Sequence, residues 1–150
     1  MDDWKFLNDH YQFRNDKMYA KHKGKPVIAV WGVGFGDNRK YTLDECENLV
    51  KFLKTGDYGD NTVMLGVPKF WRDGGGDAVS KDKIPLLHEI ILLSDIVSPW
   101  TVGRYSDISG AQIYSRIFMK NDLQWCSTNK IELMPVIFPG FSWHNLQASG

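Results

Sequence analysis

The sequence lacks any apolar run long enough to span a bilayer, so no membrane-crossing helix is expected. It also lacks net charge, with 18 lysines and arginines against 18 aspartates and glutamates. A neutral chain has no long-range pull on phosphate backbones or anionic lipid, so nucleic acid is not an expected partner. The opening Met1-Asp2-Asp3-Trp4-Lys5 has neither the basic segment nor the apolar core of a secretory signal, and localisation is not readable from it. Cysteine is scarce: Cys46 and Cys126 are the two present, with no CxxC spacing. Each falls on the apolar side of a helical pattern, which predicts two buried free thiols rather than a disulfide or metal pair. No His/Asp/Glu cluster has ligand spacing and no Ser-His-Asp arrangement is apparent, so neither a metal nor a cofactor is expected.

What the chain has in excess is tryptophan, six in 150 residues. That length supports one domain with a core, and not two. Four apolar runs, at 27–33, 62–67, 96–99 and 133–138, begin 34 to 37 residues apart. They lack strict in/out alternation, which predicts strands covered on both faces. Their spacing fits a strand, a crossover helix and two loops. Between them, Thr42-Leu43-Asp44-Glu45 is a capping-box pattern, followed by Leu43, Cys46, Leu49, Val50 and Leu53 at helical spacing and Gly56 as terminator. Pro85 suits the first turn of a second helix. Residues 109–128 predict a third, with Ile113, Ile117, Met119, Leu123 and Cys126 on its apolar face, and residues 3–13 predict one more ahead of the first strand. The order α-βαβαβαβ argues for a parallel sheet with right-handed crossovers. Two architectures remain open on this evidence: a doubly wound sheet, or about four βα units of an eight-unit barrel. The chain stops within a dozen residues of its last strand with no closing helix, which suggests a truncated domain spanning residues 1–150.

In parallel α/β folds, ligands bind where the strands end. The first strand runs into Trp31-Gly32-Val33-Gly34-Phe35-Gly36-Asp37-Asn38-Arg39. Beyond the next two lie Pro68-Lys69-Phe70-Trp71-Arg72-Asp73 and Pro99-Trp100-Thr101-Val102-Gly103-Arg104-Tyr105. The last ends in Pro139-Gly140-Phe141-Ser142-Trp143-His144-Asn145. A tryptophan at every strand end suits sugars, whose C–H faces pack on aromatic planes and whose hydroxyls need fixed polar partners. The competing reading is that these tryptophans are packing residues. Gly32-x-Gly34-x-Gly36 follows a strand, but its third glycine has the wrong offset for a dinucleotide loop. The next helix opens only near Thr42, so no helix N-terminus is expected to meet the loop. The alternative is a loop whose backbone passes close to a ligand or a neighbour. Asp37, Asp73, Asp77 and Asp107 are the carboxylates near strand ends, and none forms an obvious acid–base pair. His144 suits a sugar hydroxyl or a structural contact.

These residues carry a family likeness. Gly24-Lys25-Pro26-Val27-Ile28-Ala29-Val30-Trp31-Gly32-Val33-Gly34-Phe35 resembles the signature strand of family 71/99-like glycoside hydrolases. So do Leu65-Gly66-Val67-Pro68 with Trp71-Arg72, Pro99-Trp100-x-Val102-Gly103-Arg104-Tyr105, and Pro139-Gly140-Phe141-Ser142-Trp143, in matching order and over nearly the whole chain. The resemblance implies a (β/α)8 barrel of the endo-α-mannosidase or xylosidase kind, metal-independent, exported to the periplasm or beyond, and acting on oligo- or polysaccharide. It implies substrate contacts from Trp31, Asp37, Arg39, Trp71, Arg72, Trp100, Arg104, Tyr105 and Trp143, to which the residue reading adds His144. It also implies that the catalytic carboxylates lie downstream of Gly150, so that the chain alone is an inactive fragment with open sheet edges prone to self-association. Two alternatives stand beside it: a carbohydrate-binding barrel remnant without catalysis, and a small nucleotide-binding α/β domain using the Gly32–Gly36 loop.

Overall fold

The structure, a computed structural model, describes residues 1–137. Trp143 and His144, and the end of the fourth expected strand at Phe138, lie outside the described residues. So does Gly150, beyond which the resemblance puts the catalytic carboxylates, and no residue described is assigned that role. The fold is mixed α/β. In chain order it comprises α1 (Asp2–Tyr11), β1 (Lys21–His22), β2 (Lys25–Trp31), α2 (Leu43–Lys54), β3 (Thr62–Val67), α3 (Ile84–Leu92), β4 (Ile96–Pro99) and α4 (Ile108–Ile113). A π-helical stretch, Tyr114–Met119, then leads into α5 (Lys120–Asn129) and β5 (Glu132–Leu133). No helix of the described residues is long and apolar enough to cross a membrane.

The five strands form one curled sheet in sequence order, β1-β2-β3-β4-β5. β2 through β5 are parallel, as the strand spacing predicts, while β1 pairs antiparallel with β2. That hairpin was not expected. His22 pairs with Lys25 across a two-residue loop whose Lys23 and Gly24 both have positive φ (49° and 81°), the backbone of a type I′ turn. The hairpin also reveals the curl. β1 and β5 are at opposite ends of the strand order, yet His22 Nε2 lies 3.0 Å from Glu132 of β5, and Lys23 ion-pairs with the same carboxylate.

Two strand boundaries differ from expectation. β2 starts two residues early, at Lys25, because Lys25 and Pro26 pair with β1, and ends two early, at Trp31, where the Gly32 and Val33 amides both donate to Gly66 O (3.0 and 3.1 Å) and the ladder forks. β5 is two residues long and begins at Glu132. By contrast, β3 and β4 occupy the expected residues. In α2 the Thr42 hydroxyl accepts from the Glu45 amide at 3.2 Å, and the Glu45 carboxylate accepts from the Thr42 amide at 2.7 Å. Such a cap contributes about 1 kcal/mol.

Alternate strand residues build the core. Ile28, Val63, Leu65, Val67 and Val97 face the helices and pack with Val50, Leu53, Leu87, Ile90, Ile91 and Cys126. Cys46 and Cys126 are both buried and free, and burial raises both thiols, Cys126 to about 12. The third predicted helix has the expected extent but a different inner face. Ile113, Ile117 and Leu123 are exposed, while Tyr114, Asp122 and Cys126 are buried. The π-helical stretch contributes to this: its wider i→i+5 ladder breaks the 3.6-residue phase between α4 and α5, so one continuous apolar face drawn through both does not hold.

Candidate functional site

The register places Trp31, Gly66 and Ser98 in one row across β2, β3 and β4, on the face opposite the helical core. Trp100 continues β4 for one more bond, its amide donating to Val67 O at 2.7 Å. It stands two residues beyond Ser98 and therefore on the same face. The indoles of Trp31 and Trp100 meet there edge to face, with centroids 5.6 Å apart and planes at 83°. They are 45% and 36% exposed. The Trp31 ring lies directly over Gly66, and a Cβ at that position would overlap its six-membered ring.

The loop after β2 closes the other side. Arg39 Nε donates to Asp37 Oδ1 at 2.7 Å, and its guanidinium sits 4.6 Å from the Phe35 ring centroid. The same guanidinium donates to Tyr41 Oη at 2.9 Å, and that hydroxyl donates to Gly32 O at 2.7 Å. Arg39 is the chief cause that holds the Asp37 carboxyl below its ordinary value, and Asp37 raises Arg39 in return. Trp31, Gly32, Phe35, Arg39 and Trp100 line a cavity of about 250 Å³. Phe35 and Arg39 also border a second cavity of about 610 Å³, which includes Gly34, Gly36, Lys83 and the Thr42-Leu43-Asp44 start of α2.

That second cavity corrects one expectation: the start of α2 does meet the glycine loop. The loop itself is a close-packing loop, as the second reading of it held. A Cβ on Gly34 would strike Leu87, and one on Gly36 would strike Ala78 O. The Gly36 amide donates to Asp77 O and the Val79 amide to Gly34 O, each at 2.9 Å.

The remaining expected contacts disperse. Trp71 is 0% exposed, in the core against His88 and Trp125 (centroids 5.7 and 4.8 Å). Arg72 Nε donates to buried Asp122 Oδ1 at 2.5 Å, holding the loop after β3 to α5. The two residues expected in the cleft from that loop are therefore packing residues here. Burial raises the Asp122 carboxyl despite the arginine beside it, and burial lowers His88. Arg104 pairs with Asp77 at 2.8 Å, and Tyr105 leans on Tyr114 at 5.9 Å. Of the possible carboxylates, Asp77 accepts the Lys69 and Phe70 amides (3.0 and 3.1 Å), and Asp107 caps α4 through the Gly110 amide at 2.6 Å. Among the described residues no group of three or more His, Cys, Asp or Glu side chains is placed to hold a metal ion.

The structure thus brings together Trp31, Asp37, Arg39 and Trp100 from the expected set. It adds Phe35, Tyr41 and Gly66, which the sequence does not single out as ligand contacts. Tyr41 had one available signal, an aromatic just ahead of a helix cap in a loop that must fold back toward its strand. No family model, no curated protein and no solved structure matches the chain.

Proposed function

We propose that this chain is a section of a (β/α)8-barrel glycoside hydrolase, similar to the family 71/99-like enzymes, and that it supplies the aromatic part of the sugar cleft. The observation that carries this reading is the convergence of Trp31 and Trp100 with Phe35 and Arg39 around one cavity at the strand ends. A pyranose offers a C–H face to an indole and hydroxyls to polar neighbours, and this cavity has both kinds of wall. The barrel reading draws support from strand order. A doubly wound sheet reverses its order at a switch point, whereas β2-β3-β4-β5 runs in sequence as successive barrel units do.

The Asp37–Arg39 pair neutralises the site's strongest charges, which favours an uncharged ligand. It also weighs against a nucleotide. The Gly32, Val33 and Gly36 amides already donate to Gly66 O and Asp77 O, and the first turn of α2 carries Asp44 and Glu45. A phosphate at the glycine loop would find these three amides already engaged and the Asp44 carboxylate on the cavity wall.

A specific observation favours a second reading, a sugar-binding remnant without catalysis. Asp37 is held by Arg39, Asp77 by two amides and Arg104, and Asp107 by its helix cap. All three are already engaged and the fourth, Asp73, ion-pairs with Arg72 at 3.6 Å, so these four offer no free pair of the kind both glycosidase mechanisms need.

Titration calorimetry with α-linked mannotetraose and with xylotetraose, alongside a reducing-end hydrolysis assay, tests both readings. The expected result is binding by the wild-type chain, at least tenfold weaker in Trp31→Ala and Trp100→Ala, without sugar release. Release of reducing ends by this chain would return catalysis to it. Failure of the wild type to bind either probe sinks the carbohydrate reading.

A further inference from the structure

Ser98 is fully buried in β4, and its Oγ has no hydrogen-bond partner among the described residues. Buried polar atoms are rarely left unpartnered, so such an atom calls for an explanation. Its position supplies one. Val97 belongs to the helix-side core, so Ser98 points to the opposite face, in the row shared with Gly66 and Trp31. Two strand spacings, roughly 10 Å, separate the outer members of that row. The Trp31 indole starts from β2 and extends over Gly66, which has no side chain to keep it away. Trp100, two residues beyond Ser98, braces the same indole edge-on.

We propose that Ser98 Oγ is a hydrogen-bonding group of the cleft, reached by a ring hydroxyl of a neutral sugar when the Trp31 indole lifts from Gly66. This rests on the carbohydrate reading of the cleft. Trp31 is free to make the movement. Nearly half of its surface is exposed, and it borders the open cavity it shares with Trp100. The ligand class follows from the groups that meet. A purely apolar occupant leaves the Ser98 hydroxyl unpartnered. A charged occupant finds the Arg39 guanidinium already paired with Asp37. A pyranose fits both walls, its C–H face on the indole and one hydroxyl on Ser98. Gly66 is then a positioning residue, because it lets the indole lie against the sheet and leave it.

Calorimetry with α-linked mannotetraose and xylotetraose on the wild type, Ser98→Ala, Gly66→Ala and Trp100→Ala tests this, with a thermal melt of each variant. Ser98→Ala is expected to bind about tenfold more weakly, the size of one lost hydrogen bond to a sugar hydroxyl. Its Tm should stay at or above the wild-type value, since the hydroxyl it removes has no partner in the unliganded protein. Gly66→Ala holds the Trp31 ring off the sheet, so it should bind at least as tightly as the wild type, and weaker binding there overturns the lifting of the indole. Wild-type affinity in Ser98→Ala together with weakened Trp100→Ala overturns the role of Ser98 and leaves the cleft standing. A lowered Tm in Ser98→Ala also overturns it, because the hydroxyl then has a structural partner. No binding by the wild type overturns both this inference and the carbohydrate reading.

Discussion

Trp31 and Trp100 meet edge to face with centroids 5.6 Å apart, and Trp71 and Trp125 do the same at 4.8 Å, yet their surroundings have little in common. The first pair lies on the face of the sheet away from the helices and keeps a third or more of each surface exposed. Trp71 is sealed on the helix side, with Arg72, Asp122 and His88 around it. Trp31 and Trp100 end or directly extend a strand, so the pleat fixes which face they take. Trp71 comes four residues after β3, once the chain has turned: its amide donates to Pro68 O at 3.3 Å, and the side chain falls back onto α3 and α5. A tryptophan near a strand end is thus a cleft residue only while the strand still controls its direction. The difference makes a division of labour, in which one pair contributes stability and the other is available to a ligand.

Trp71→Ala would test the first half most severely. It removes a fully buried indole between two helices and should cost about 3–5 kcal/mol in urea unfolding. Asp122→Ala comes next. It strands the Arg72 guanidinium, which is 13% exposed, beside a newly apolar site. Breaking a buried pair from one side costs about 3–5 kcal/mol, and Arg72's remaining access to water and to Asp73 puts this variant near about 3 kcal/mol. If either variant unfolds within about 1 kcal/mol of wild type, the cluster does not have the structural role assigned to it.

The same cluster predicts a pH effect. Burial holds His88 below its ordinary value of 6.5, so the folded chain resists a proton that the unfolded chain accepts. The unfolded state binds more protons below that value, and stability therefore falls as pH drops through about 6.5 toward His88's own lowered value. The groups facing it are the Trp71 backbone and Asp73, which favour protonation, and Arg72, which opposes it. Glu132 and Asp37 are held low by their cations, so their contributions disappear only in the more acidic range. A His88→Gln variant should flatten the slope between pH 7 and 5 in urea titrations. An unchanged slope would place its origin elsewhere.

Much of the scaffold was legible because short-range chemistry specified it. Thr42 and Glu45 announce α2, and β3 and β4 begin and end where their apolar runs do. The hairpin was not legible, because Lys23 is an unusual residue for positive φ and nothing in Lys-Gly marks a type I′ turn as Asn-Gly does. The inner face of α4 and α5 was misread for a different reason: a π-helical stretch changes phase without any residue type that signals it. In the site, Trp31, Arg39 and Trp100 were legible from position alone. Gly66 and Ser98 were not, since each looks like an ordinary small strand residue until the register sets it beside Trp31.

The smallest expected stability effect is the most informative for the exposed pair, Trp31 and Trp100. Trp31→Ala removes a large aromatic, which in a core would cost about 3–5 kcal/mol. Here nearly half of the ring already faces water, the residue beneath it is a glycine, and the main partner, Trp100, is itself exposed. Truncation leaves no closed cavity, only a wider open one, so the cost should stay within about 1 kcal/mol. The near-ultraviolet circular dichroism should nonetheless change, because two indoles held at 83° lose their mutual coupling. A large loss of stability in Trp31→Ala would make this pair a second core element like Trp71–Trp125 and erase the contrast between them. A small loss with a clear spectral change leaves an exposed aromatic corner that stability does not require, which is the condition expected of residues available to a ligand.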